Sequence, residues 1–217
     1  MEMAGSHTSQ HTGPMPHPLH RPHPPPSPLQ ATLHTPRLVL LPAGEGLAAR
    51  VTAFYQRNTA HLAPWDPPTP EGFATEAFQR ERLQRAVADA GAGTAMRWWL
   101  EPRDDPSRLV GSISLTQIAR GAFQNAMLGY AIGVACQGQG LMREALQAVI
   151  DHAFSPAMKL HRIQANVRPE NIRSTALLHR LGFDDEGLAR EYLYIDGAWR
   201  DHRMYALRHA GFVGVPC

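Results

Sequence analysis

The sequence predicts a mixed α/β fold, one twisted sheet of about seven strands with helices on both faces. Three observations predict it. Strand-like and helix-like runs alternate through the middle of the chain. An apolar strand leads through a glycine loop into an amphipathic helix and then a second strand, the order of a right-handed parallel crossover. A hairpin centred on Asp196-Gly197 follows, and that dipeptide favours two adjacent positive φ angles.

Residues 1–34 stand apart. The stretch from Pro14 to Pro28 is proline and histidine with almost nothing to bury, which predicts an extended, disordered tail. The folded domain is expected over 35–210, with a short tail over 211–217. Thr35 to Leu41 reads as the first strand, stopped by Pro42. Leu47 to His61 carries a helical pattern, with Leu47, Val51, Phe54 and Tyr55 near one face. A proline-rich loop, Pro64 to Pro70, separates it from a second helix over Glu71 to Ala90. Met96 to Leu100 is a short strand, and Asp104 to Ser107 a turn. Leu109–Ile118 and Met127–Val134 read as two long strands joined through Gly121. The remaining elements are a helix ending at Phe154, a strand His161–Val167, a helix Ile172–Leu181 and the hairpin.

Composition narrows the function. The 217 residues are 43% hydrophobic and 18% charged, which suits one globular core. A net charge of +2 gives no argument for nucleic-acid binding. Cys136 and Cys217 are too few for a disulfide framework or a zinc quartet, so a reducing cytoplasm and no metal are expected. No apolar run approaches the roughly 18 residues that span a bilayer, and no secretory leader is seen.

The chemistry concentrates in Val134-Ala-Cys-Gln-Gly-Gln-Gly-Leu-Met-Arg-Glu144. Leu141, Met142, Ala145, Leu146, Val149, Ile150, Ala153 and Phe154 mark one buried stripe of the helix that follows. The loop therefore presents free backbone amides at a helix N-terminus, where the dipole favours anions. Gly138 and Gly140 remove side chains that would block a phosphate. A Walker loop needs Lys-Ser/Thr after its last glycine, and Leu141-Met142 stands there. A dinucleotide fingerprint needs a third glycine where Arg143 stands. A plain strand-to-helix turn also accounts for the two glycines.

Gln137-Gly138-Gln139-Gly140-Leu141-Met142 resembles the pyrophosphate loop of the GNAT acetyltransferase superfamily, departing at Met142, where the family has a small residue. Arg168 to Phe183 resembles that family's next segment, with Asn171 and Gly182 also readable as the two caps of a helix. Glu191 to Leu207 looks like the terminal hairpin of the RimJ/RimL group. Thr35-Pro-Arg-Leu38, His61 to Trp65, Arg120 to Phe123 and Leu128 to Ile132 are similar to the same group, so the likeness covers roughly residues 35–208.

The resemblance implies a GNAT fold in which strands Met127–Val134 and His161–Val167 splay around acetyl-CoA. It implies that backbone at Ile132, Gly133 and Val134 meets the pantetheine arm. It further implies that Gln137, Gly138, Gln139, Gly140, Leu141 and Met142 hold the pyrophosphate, with Asn171 beside them. Charged hydrogen bonds of that kind contribute roughly 1.5–3 kcal/mol each. Leu178 stands where many members carry a catalytic tyrosine, and the likeness points to Ser174 instead. Leu193 stands near the place of the RimL carboxylate, so no base is assigned; Glu191 or Asp201 acting through water is an alternative. Trp65 and Tyr194 are the candidate walls of the acceptor site.

The implied reaction is acetyl transfer to a protein N-terminal α-amine, in the RimJ branch an N-terminal alanine of a ribosomal protein. An α-amine of pKa near 8 is about 10% neutral at pH 7, against under about 0.1% for a lysine. Two alternatives stay open: a small-molecule amine as acceptor, and a coenzyme A-binding ribosome-assembly factor without essential catalysis.

Overall fold

The computed structural model describes residues 31–213. The chain runs β1 (Leu33–His34), β2 (Leu38–Pro42), α1 (Ala48–Leu62), α2 (Glu76–Gly91), β3 (Met96–Pro102), β4 (Gly111–Ala119) and β5 (Asn125–Ile132). It continues through α3 (Leu141–Phe154), β6 (Arg162–Val167), α4 (Ile172–Arg180), β7 (Asp184–Ile195) and β8 (Ala198–Arg208). All the strands join one sheet in the order β1-β2-β3-β4-β5-β6-β8-β7. Only the β5–β6 pair is parallel, as a crossover through α3 requires.

Side-chain alternation along β3 divides the interior in two. Trp98 belongs to the cluster that holds the α3 stripe and Leu178 of α4, while its neighbour Trp99 belongs to a second cluster with Val51, Phe54 and Tyr55 of α1. Each helix earns its face from its sequence. The stripe of α3 from Leu141 to Ala153 is buried without a break in its period. Asn171 accepts from the Ser174 amide at 3.2 Å to cap α4. At the other end of α4, Gly182 takes φ +82°. There the Phe183 amide donates back to Leu178, closing a left-handed C-cap. The hairpin turn has φ +51° at Asp196 and +72° at Gly197, as expected for that dipeptide.

Several boundaries differ from the sequence reading. The sheet has 8 strands rather than about seven. The additional strand, Leu33–His34, lies ahead of the expected domain start at Thr35 and pairs with Val39 and Leu40. The Trp98 indole N–H fixes that segment by donating to the Ala31 carbonyl at 2.9 Å. Helix α2 starts at Glu76 rather than Glu71, because Gly72 turns the chain at φ +74° and Thr75 provides the N-cap. Strand β5 ends at Ile132, and Val134–Cys136 form a 3-10 turn instead of its last residues. Residues 1–30 and 214–217, which hold most of both expected tails, lie outside the described residues.

Candidate active site

The site begins where two strands part. β5 and β6 pair from Asn125↔Arg162 to Leu128↔Ala165 and no further. On its other edge β5 stays paired with β4 as far as Gly111↔Ile132. Residues 129–132 thus face a gap on the β6 side. Gly111 keeps β4 and β5 close at this point, since a Cβ there would sit 2.5 Å from the Ala131 carbonyl oxygen. The gap opens into a cavity of about 860 Å³ that runs from Trp65 and Asp66 past Tyr130 and Ile132 to the start of α3.

At the α3 end the cavity is lined by backbone and arginine. Gly138 and Gly140 adopt φ +73° and +76°, a region costly for other residues. A Cβ on Gly138 would meet nothing within 4 Å, so the loop leaves open space there. Gly140 caps α3 with no side-chain hydrogen bond. Among the described residues, no backbone N–H from 138 to 143 has a partner within the protein. Unpaired amides at a helix N-terminus form an anion site. Arg143, Arg173 and Arg180 add positive charge to the same wall. These groups fit a pyrophosphate, and the strand gap fits an extended arm behind it.

Arg37 holds the loop in this shape. Its backbone amide and Nε donate to the two Glu144 carboxylate oxygens at 2.8 and 2.7 Å. Its Nη1 donates to the Gln139 carbonyl at 2.9 Å. Burial pushes the Glu144 carboxyl up, but the hydrogen bonds from Thr35 and Arg37 outweigh it and hold the group below its ordinary value.

The expected site residues divide. Ile132, Gln137, Gly138, Gly140, Leu141, Met142, Asn171, Ser174 and Trp65 all line the cavity. Met142 is compatible with the loop because its side chain is 7% exposed and lies in the core. Gly133 and Val134 do not line the cavity, and their amides are taken. Gly133 donates to the Val110 carbonyl at 2.8 Å and Val134 to the Asn58 carboxamide oxygen at 3.0 Å. The 3-10 turn causes this, by carrying the chain away from the gap. The Gln137 amide closes that turn on Val134, while its side chain meets His61 and Arg173. Gln139 turns outward and bonds the Ala135 carbonyl at 2.9 Å.

Tyr194 is also outside the cavity. It stands two residues before the Asp196-Gly197 turn, at the hairpin tip, where it pairs with Trp199. Both rings are largely exposed and meet edge to face at 5.8 Å. Glu191 and Asp201 do not line the cavity; the Glu191 amide donates to the Asp201 carboxylate at 2.8 Å. Leu178 is 0% exposed in the core.

Sequence reasoning did not single out Tyr130, His61, Asp66 or Arg168 for this site. Burial pushes the Tyr130 phenol up to about 12, so it stays protonated at neutral pH. Its O–H donates to the Ser174 carbonyl at 3.5 Å. Arg168 lies 5.5 Å above the Trp65 ring and donates to the Pro64 carbonyl at 2.5 Å. It thereby ties the proline loop to the end of β6. Asp66 and Leu62 also line a second cavity of about 540 Å³, bounded by Tyr55, the loop to Ala74, and the hairpin turn Asp196-Gly197.

A strand gap with unpaired amides at the adjacent helix is the cofactor cleft of an acetyltransferase. The chain belongs to the GNAT acetyltransferase family, whose domain model matches residues 37–184. It is an acyltransferase, and enzymes of this family use acetyl-CoA. Within the family it is 39% identical to the [Ribosomal protein uS5]-alanine N-acetyltransferase of Escherichia coli (strain K12). That match spans 175 residues, 81% of this chain and 89% of the relative. The ribosomal-protein-S5-alanine acetyltransferase of Vibrio fischeri superimposes with a TM-score of 0.80 at 30% identity, covering 85% of this chain and all of that one. Mycobacterium smegmatis RimJ, solved in complex with CoA-disulfide, gives 0.77 at 32% identity, covering 85% and 89%. No helix among the described residues is long and apolar enough to cross a membrane.

Proposed function

We propose that this enzyme acetylates the N-terminal α-amine of a protein, an N-terminal alanine on a ribosomal protein, in the cytoplasm. The observation that carries the reading is the second cavity. It adjoins the cofactor cleft through Leu62 and Asp66 and gives a polypeptide room behind its amine. Similarity to the uS5-alanine enzyme over most of both chains supports the same acceptor.

Acetyl-CoA, when bound, supplies the acetyl group as a thioester. The amides from Gly138 to Arg143 hold its pyrophosphate and fix its depth in the cleft. The gap beside residues 129–132 would admit the arm, in the same cavity that Trp65 lines. Trp65, steadied by Arg168, forms the wall against which the acceptor packs. The α-amine attacks as the neutral base, the form present at about 10% at pH 7. Ser174, in the first turn of α4 and on the cavity wall, returns a proton to the departing sulfur.

Mass spectrometry of ribosomal proteins from cells with and without the gene tests the acceptor. One ribosomal N-terminus, an alanine, should lose 42 Da (about one acetyl group) in the deletion. Unchanged ribosomal N-termini would refute the acceptor.

A further inference from the structure

We infer that Asp66 is the residue that receives the acceptor's α-ammonium group and takes its proton before attack. The inference rests on the α-amine reading and supplies the base that the sequence left unassigned.

Position is the first argument. Asp66 lies on the wall shared by the two cavities, so a peptide entering through the smaller one must bring its terminus past this carboxylate to reach the cofactor cleft. The preceding residue, Trp65, lines the cleft itself. The loop that carries both is anchored just ahead of them. The Trp65 and Asp66 amides donate to the Leu62 carbonyl at 2.8 and 3.1 Å, and Arg168 clamps Pro64.

Availability is the second. Among the described residues, no side chain or amide makes a hydrogen bond or ion pair to the Asp66 carboxylate. Glu191 lines neither cavity, and three other carboxylates near the cleft and hairpin are engaged. Glu144 is held by Arg37, Asp201 accepts from Glu191, and Asp196 pairs with Arg200 at the turn. The groups facing Asp66 are Arg82 of α2, Arg97 of β3 and His61 of α1, with Asp196 across the smaller cavity. Burial raises the Asp66 carboxyl above its ordinary value, and the two arginines and His61 only partly oppose this. A half-buried carboxylate whose oxygens accept no hydrogen bond, with charged neighbours that only partly offset its burial, is poised to bind an ammonium ion and to accept a proton from it.

The proton balance closes. The α-ammonium gives one proton to Asp66 and becomes a neutral amine. Its lone pair forms the C–N bond to the thioester carbon, and the C–S bond breaks with its electrons on sulfur. The second proton, lost from nitrogen as the amide forms, goes to that sulfur by way of Ser174. Coenzyme A leaves as the thiol, and Asp66 releases its proton to solvent.

The test uses the full-length enzyme and a lysine-free peptide that begins with a free alanine. Asp66→Asn should lower kcat/KM for the peptide about 100-fold at pH 7. Its affinity for coenzyme A, measured by calorimetry, should change by less than about twofold. The wild-type pH profile of kcat/KM should carry the carboxylate's acid limb. In the Asn variant only the free amine's limb, near pH 8, should remain. Calorimetry on the enzyme–coenzyme A complex should show weaker binding of the free peptide and unchanged binding of its N-acetylated form. Asp66→Glu should restore the acid limb with about a 10-fold loss, and it decides the matter if the Asn variant proves unfolded. Wild-type turnover with an Asn variant within about threefold and an unaltered pH profile would overturn the assignment of Asp66 alone. A wild-type enzyme that modifies no free N-terminus would overturn the α-amine reading and Asp66's role with it.

Discussion

The two ends of the cleft are built from different materials. At the α3 end the groups that meet the ligand are backbone amides, released by two glycines with positive φ and by the geometry of a helix start. At the acceptor end they are side chains, Trp65, Asp66 and Tyr130, brought together from a proline loop and a strand. A site made of backbone constrains its own sequence, because glycine takes those torsions at the least cost and a helix must follow. A site made of side chains leaves no spacing rule, since residues 65 and 130 meet only through the tertiary fold.

That difference orders the expected effects. Gly138→Glu should be the most damaging, because it sets a negative side chain where the pyrophosphate binds and forces a non-glycine residue to φ +73°. Calorimetry should find at least about a 100-fold loss of coenzyme A affinity in a folded variant, a loss of roughly 3 kcal/mol. Gly111→Ala comes next and acts through the sheet. Its Cβ would lie 2.5 Å from the Ala131 carbonyl, so thermal or urea unfolding should show a loss of about 1–3 kcal/mol.

Trp65→Ala should sharpen the contrast from the other end. Peptide KM should rise about 10-fold while coenzyme A affinity holds, since the ring stands at the end of the cleft remote from the amides of residues 138–143. Glu144→Gln should loosen the Arg37 clamp and lower the melting temperature by a few degrees at neutral pH. The Glu144 carboxyl is held below its ordinary value in the fold, so its stabilisation is present above about pH 4.5 and lost as the pH falls further. The difference between wild type and Glu144→Gln should therefore close in acid. Tyr194→Ala should have the smallest effect, less than about twofold in kcat/KM, because the ring lies at the hairpin tip outside both cavities.

The same contrast explains what the sequence disclosed. The α3 stripe, the Asn171 and Gly182 caps and the Asp196-Gly197 turn are local devices, and each appears where its residues predict it. The splayed strands came from resemblance, because nothing in the spacing of Met127 to Val134 says where pairing stops. Gly133 and Val134 lie outside the cavity for a related reason. They continue an apolar run, but Asn58 and Val110, distant in sequence, take their amides. Tyr194 lies outside both cavities because it stands two residues before the Asp196-Gly197 turn, at the tip of the hairpin. Asp66 was hidden among prolines, where its burial depends on α1, α2 and β3 closing around it.

The most direct test of the central claim is thiol release from acetyl-CoA with lysine-free peptides, each offered with a free and with a blocked N-terminus. Turnover is expected with free N-termini only, fastest with alanine first. Equal turnover of free and blocked peptides, or none with any peptide alongside rapid acetylation of a small amine, would contradict it.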